Sequence, residues 1–178
     1  MTAYIALLRA VNVGGTGKLP MTDLKALCEG AGFARVRTYI ASGNVVFASD
    51  LSETRVKAGL EARLADYAGK PVGVCVRTAA EMAQVLGANP FAGAPANRTV
   101  AIFLDDAPPK DAADKAVGRA ADEAIALGAR EIYVRYGEAG QGNSKLRIPA
   151  ARAGTARNLN TVAKLAEMAA ELDQTPPN

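Results

Sequence analysis

Histidine and tryptophan are absent from this chain of 178 residues, and cysteine occurs only as Cys28 and Cys75. Without histidine the chain lacks the usual proton shuttle near neutral pH and the commonest metal ligand, which excludes Ser-His-Asp and Cys-His mechanisms within one chain. The two cysteines lie far apart with no CxxC spacing, so they read as core thiols rather than a disulfide framework or a zinc site. Aromatic residues make up only 5% of the chain, with five tyrosines and four phenylalanines, which is too few for a base-stacking platform. No apolar run approaches the roughly 18–20 residues of a membrane span, and the opening lacks the charged start and apolar stretch of a signal peptide. A reduced, cytoplasmic protein without a cofactor, a metal or a membrane partner is expected.

What is present describes a globular chain, 49% hydrophobic and 22% charged. The net charge of +3, from 21 basic and 18 acidic residues, is too small to mark a nucleic-acid binder. Along the chain, residues 4–8 read as a buried strand, followed by a glycine-rich connection and a helix over 21–29 that starts behind Pro20 and stops at Gly30 and Gly32. Residues 35–41 alternate as a strand, Ser42-Gly43-Asn44 turns the chain, and 45–48 returns as the hairpin partner. Ser52 caps a second helix to about residue 67, and 71–77 is another strand. The order βαββαβ is the ferredoxin-like pattern, with both helices on one face of a four-stranded antiparallel sheet.

A helix over 79–86 and the Pro/Gly connection 89–97 lead to a second half read as βαββα. Its elements are a strand at 99–104, a long helix over 111–127, strands at 130–136 and 145–148, and a final helix over 155–172. The division expected is a ferredoxin-like subdomain over 1–77, a helix and connection over 78–98, and a second α+β subdomain over 99–178. AGFARVRTYIASGN and LGAREIYVRYGEAGQGN share a helix end, an Ala-Arg pair, a strand and a Gly-Asn loop, which suggests duplication within an α+β fold.

Three stretches, 1–22, 30–49 and 143–166, contain no Asp or Glu, yet hold many of the cations and Gly-Asn loops. If they meet in space, one side of the molecule is basic and rich in backbone donors. The candidate ligand-binding residues are Arg9, Asn12, Lys18, Ser42, Asn44, Lys145, Arg157, Asn158, Asn160 and Thr161. Thr155 is placed to cap the final helix, so that Arg157 and Asn158 sit in its first turn beside free N–H groups. The alternative is that Asn158 and Thr161 merely cap the helix while Arg157 pairs with a carboxylate.

The sequence GGTGK resembles a nucleotide P-loop, but the first glycine of that pattern is missing and Leu19 stands where the magnesium-binding hydroxyl belongs. Arg35, Arg37 and Tyr39 suggest an RNA-binding sheet, but the central strands carry Ile5, Leu7, Val45 and Phe47, which read as core. No nucleophile and base are recognisable by spacing, so catalytic residues are not assignable.

YIALLRAVNVGG, RTYIASGNVVF and TARNLNTVAKL occur in that order across the chain, which resembles the bacterial domain-of-unknown-function family 1697. The resemblance implies a two-part α+β protein with ferredoxin-like units and no established activity. Members often read RGINVGG and RNWNTV, where this chain has Ala10 and Leu159. The three motifs fall on the acid-free stretches. The leading expectation is a binding protein for a phosphate-bearing ligand, a nucleotide or nucleic acid. An enzyme acting on a small anionic substrate and a protein-interaction or self-association module are the alternatives.

Overall fold

The computed structural model describes residues 1–12 and 17–176. The protein is α+β and builds two four-stranded antiparallel sheets. It divides into two compact units, one formed by residues 1–83 with 164–178 and the other by residues 84–163.

The first unit runs β1 (Thr2–Leu8), α1 (Met21–Gly30), β2 (Ala34–Tyr39), β3 (Asn44–Ser49), α2 (Glu53–Ala68) and β4 (Val74–Thr78). Its sheet order, β2-β3-β1-β4, is the ferredoxin-like arrangement that the alternating patterns imply. The period of two along β1 puts Tyr4, Ala6 and Leu8 on one face, beside Phe47 and Val45 on β3 and Val76 and Val74 on β4. Leu24 and Cys28 of α1 and Val56, Leu60 and Leu64 of α2 close over that face in a single core. Both helices therefore lie on one side of the sheet. Ser52 caps α2 by accepting the Arg55 N–H at 3.4 Å, and Gly69 ends the helix in the left-handed conformation at φ 69°.

The last part of the chain also belongs to this unit. The Arg37 guanidinium binds the Glu171 carboxylate at 2.8 Å, Arg35 donates to the Thr175 carbonyl at 3.0 Å, and the Ala3 N–H donates to Asp173. Arg35 and Arg37 are thus engaged by the chain's own C-terminal segment rather than arrayed as an open RNA-binding strand. A register shift between Ala34 and Arg37, with Arg35 at φ 52°, bends β2 there.

Directly after β4 comes α3 (Ala79–Gly87). Its start is a capping box, with the Glu81 N–H donating to Thr78 Oγ1 and the Thr78 N–H donating to Glu81 Oε2.

The second unit contains β5 (Thr99–Phe103), β6 (Ala124–Leu127), β7 (Glu131–Arg135) and β8 (Thr155–Asn158), followed by α4 (Leu159–Gln174). Its sheet order, β6-β7-β5-β8, repeats that of the first unit strand for strand. The equivalent strands are β2 and β6, both at an edge. The peptide similarity within the sequence instead aligns β2 with β7, because it follows shared Ala-Arg and Gly-Asn composition rather than position in the sheet.

Three expectations for this half are corrected. No helix spans 111–127; a turn occupies 110–115, and β6 takes the last four of those residues. Gly118 explains the difference. It adopts φ 73°, Val117 exchanges two backbone hydrogen bonds with Arg147, and a Cβ at Gly118 would stand 2.2 Å from the Lys145 carbonyl oxygen. A helix through Gly118 would destroy that close approach. Accordingly, residues 145–148 are not a strand, and of them only Arg147 forms an isolated bridge, with Val117. Residues 155–158 are β8, and the last helix begins only at Leu159. Ala112 and the side chains of Leu146, Ile148, Ala150 and Ala151 pack on the face of this sheet formed by Val100, Ile102, Ile132 and Val134.

Among the described residues, no helix is long and apolar enough to cross a membrane. No group of three or more His, Cys, Asp or Glu side chains among them could hold a metal ion.

Candidate functional site

The predicted site residues fall into two sets, Arg9, Asn12, Lys18, Ser42 and Asn44 in the first unit and Lys145, Arg157, Asn158, Asn160 and Thr161 in the second. Each set has its own geometry.

In the first unit the chain leaves β1 through Arg9, Ala10, Val11 and Asn12. Ala10 and Asn12 both stand at φ 54°, in the left-handed region that costs an L-residue about 1–2 kcal/mol. Asn12 turns its side chain inward. Its amide nitrogen donates to the Leu19 and Ala41 carbonyls at 2.8 Å each, and its oxygen accepts the Leu19 N–H at 2.7 Å. One side chain thereby ties together the end of β1, the approach to α1 and the β2–β3 turn. Gly14, Gly15 and Thr16 of the glycine-rich connection lie outside the described residues.

The β2–β3 turn is seated on the same strand end. Gly43 adopts φ 84°, its carbonyl accepts the Leu8 N–H at 2.8 Å, and a Cβ there would meet Val11 Cγ2 at 2.5 Å and Leu8 Cβ at 2.9 Å. Asn44 is fully buried, with its amide donating to the Tyr39 carbonyl and to Ser42 Oγ. Ser42 and Asn44 therefore hold the turn. Ile40, in the same turn, is 51% exposed and sits at φ 48°, strained for a β-branched residue. Three non-glycine residues in the left-handed region thus gather around one strand end, and such outliers persist only where surrounding structure holds them.

Beside this strand end is a cavity of about 210 Å³. Its buried wall is apolar, formed by Val11, Leu19 and Leu64, with Val72 half-buried beside them. Its exposed rim carries Lys18, Lys70 and Tyr67. The cavity adjoins a shallower groove of about 330 Å³, lined by Arg9 and Gly73 and sharing Ala10, Lys70 and Val72 with it. The Arg9 N–H donates to the Gly73 carbonyl at 2.9 Å, and the Arg9 side-chain stem runs alongside that glycine.

Arg9, Lys18 and Lys70 therefore border two adjoining spaces that share Ala10, Lys70 and Val72, and among the described residues no carboxylate lines either. The C-terminus of α2 reaches the same rim through Ala68. Its dipole contributes roughly half a negative charge against three cations, and Asp23 adds a carboxylate just beyond Tyr67. Tyr67 donates its hydroxyl to Asp23 Oδ2 at 2.6 Å. That hydrogen bond, together with slight burial and the Asp23 charge, raises the phenol above its ordinary value.

Sequence reasoning missed Lys70 and Tyr67. The acid-free stretches drew attention to Arg9 and Lys18, whereas residues 50–66 are carboxylate-rich and their charge masks the basic residue just beyond them. The available signal was Gly69: a left-handed helix stop immediately before Lys70 and Pro71 directs the chain back toward the start of the sheet.

The second unit uses its set differently. Arg157 lies in β8, 7% exposed, and donates from one nitrogen to Thr155 Oγ1 at 2.7 Å and to the Ala156 carbonyl at 2.9 Å. Asn158 is the residue before α4, and its side-chain oxygen accepts the Thr161 N–H at 3.0 Å, which satisfies a first-turn donor. The expected cap at Thr155 thus moves three residues along, and Arg157 does not sit in a helix turn. Thr161 is buried, whereas Asn160 and Lys145 are exposed. Nearby, Ser144 donates to Glu123 Oε2 at 2.6 Å and accepts the Leu146 N–H, while Glu123 also accepts the Ala120 N–H. That network fastens the 120–123 segment to the 144–146 segment.

A comparison with solved structures finds a conserved bacterial protein from Streptococcus pneumoniae with TM-score 0.77 and 24% identity. The match covers 94% of this chain and 98% of that one, and shows a shared two-part α+β fold. A comparison with curated proteins found no match. Residues 1–133 match the family model described as protein of unknown function (DUF1697), and with three quarters of its length so matched the chain belongs to that family.

Proposed function

We propose that the protein binds a small phosphate-bearing ligand in the groove of its first unit. The observation that supports this is that Arg9, Lys18 and Lys70 line two adjoining spaces which have no carboxylate in their lining among the described residues. Arg9 offers a planar fork suited to phosphate oxygens, and the two lysines supply point charges. Asn12, Ser42 and Asn44 act indirectly, holding the strand end and turn that shape the space.

Binding suits the site better than acid/base catalysis. The hydrogen bond to Asp23 keeps the Tyr67 phenol protonated well above neutral pH, so it is a poor general base. Isothermal titration with inorganic phosphate, tripolyphosphate and ATP at two salt concentrations tests the proposal. Binding that weakens as salt rises, and weakens at least about tenfold in Arg9→Ala/Lys70→Ala, is expected. Absence of binding by all three probes, or equal affinity in the double variant, refutes it.

A further inference from the structure

Cations alone would be served by an open basic surface, but this groove adjoins an apolar recess with which it shares Ala10, Lys70 and Val72. Behind Lys18 and Lys70 the wall is Val11, Leu19 and Leu64, each no more than 7% exposed. Phosphate oxygens gain nothing from such a wall and would lose hydration against it. A ligand that fills both parts must be charged at one end and apolar at the other.

The recess also has a suitable size and one aromatic side. A volume of about 210 Å³ exceeds the roughly 150 Å³ of an apolar cavity known to admit benzene, and so accommodates one ring system. The Tyr67 ring lines it while 44% exposed, and the hydroxyl is anchored to Asp23 on α1. A ring with its far end fixed loses little freedom when a second ring packs on it.

Resting on the proposed phosphate binding, we infer that the ligand is a free nucleotide, with its base in the Val11–Leu19–Leu64 recess beside Tyr67 and its phosphates toward Arg9 and Lys70. The arrangement disfavours a polynucleotide, because the recess admits one ring system and the chain's aromatic residues are too few to carry successive bases. Selectivity for a base over a bare polyphosphate then comes from the apolar wall, while the cations supply most of the attraction.

The test compares ATP with tripolyphosphate, which carries a similar charge without a ring, by isothermal titration on the full chain. Parent, Tyr67→Ala, Tyr67→Phe and Lys70→Ala proteins are used, each first shown by circular dichroism to be folded. ATP should bind the parent about tenfold tighter than tripolyphosphate, the scale of one aromatic stacking contact. Tyr67→Ala should bring that ratio close to one. Tyr67→Phe should keep most of the ratio, and Lys70→Ala should weaken both ligands together. If both ligands bind the parent equally and both weaken in Lys70→Ala, the base-binding inference falls while the phosphate site stands. If neither binds, both fall. A single-stranded oligonucleotide that binds tighter than ATP and depends on Lys70 also overturns the inference.

Discussion

The seating of the β2–β3 turn on the end of β1 can be tested by adding a single methyl group. In Gly43→Ala the new Cβ would lie 2.5 Å from Val11 Cγ2 and 2.9 Å from Leu8 Cβ, with the backbone at φ 84°. Left-handed strain costs about 1–2 kcal/mol for an L-residue, and forcing extra volume into a packed site costs about 1–3 kcal/mol. The reduced entropy of the unfolded chain returns about 0.4–1 kcal/mol, leaving a net loss of about 1–4.5 kcal/mol. For a chain of this length that lowers the melting temperature by roughly 2–18 °C. Gly32→Ala isolates the packing part, since Gly32 stands at φ 86° with nothing within 4 Å of a Cβ. Its loss should be only about 1 kcal/mol, from strain alone. Thermal unfolding monitored by circular dichroism compares the two variants directly. Equal melting temperatures for Gly43→Ala and Gly32→Ala would show that the turn does not press on Val11 and Leu8.

Two further outcomes are expected in the same unit. Ile40→Asn replaces an exposed β-branched residue at φ 48° with one that tolerates that conformation, and should raise stability by about 1 kcal/mol; a lower melting temperature would contradict the strain assigned to Ile40. The Arg37 hydrogen bond, aided by the charges of Arg37 and Lys164, outweighs slight desolvation and holds the Glu171 carboxyl below its ordinary value. A depressed folded value contributes stability above the unfolded value, and that contribution is lost as pH falls through the lower, folded one. Carboxyl NMR titration should therefore find Glu171 below its ordinary range, and Arg37→Ala should return it there. An unchanged Glu171 titration in that variant would remove the pair from the account.

The sequence by itself determined the βαββαβ order of residues 1–78 and drew attention to two of the candidate residues, but not that the last part of the chain joins that unit. Its information there is local: alternation in β1 and β3, four-residue spacing of Val56, Leu60 and Leu64, and stops at Gly30 and Gly69 coincide with the elements observed. Arg9 and Lys18 stood out because residues 1–22 contain no Asp or Glu. Tertiary structure decided the rest. Residues 111–127 are alanine-rich and read as a helix, yet the pairing of Val117 with Arg147 and the approach of Gly118 to the Lys145 carbonyl hold them in a turn and a strand. Asn12 and Asn44 looked like ligand donors, but in the fold their amides bind carbonyls of the chain itself. Lys70 gained its place only when Gly69 reversed the chain and Gly73 paired with Arg9. Propensity and periodicity report on neighbours within a few residues, whereas a groove is made by segments that meet only after the backbone hydrogen bonds of the sheet have formed.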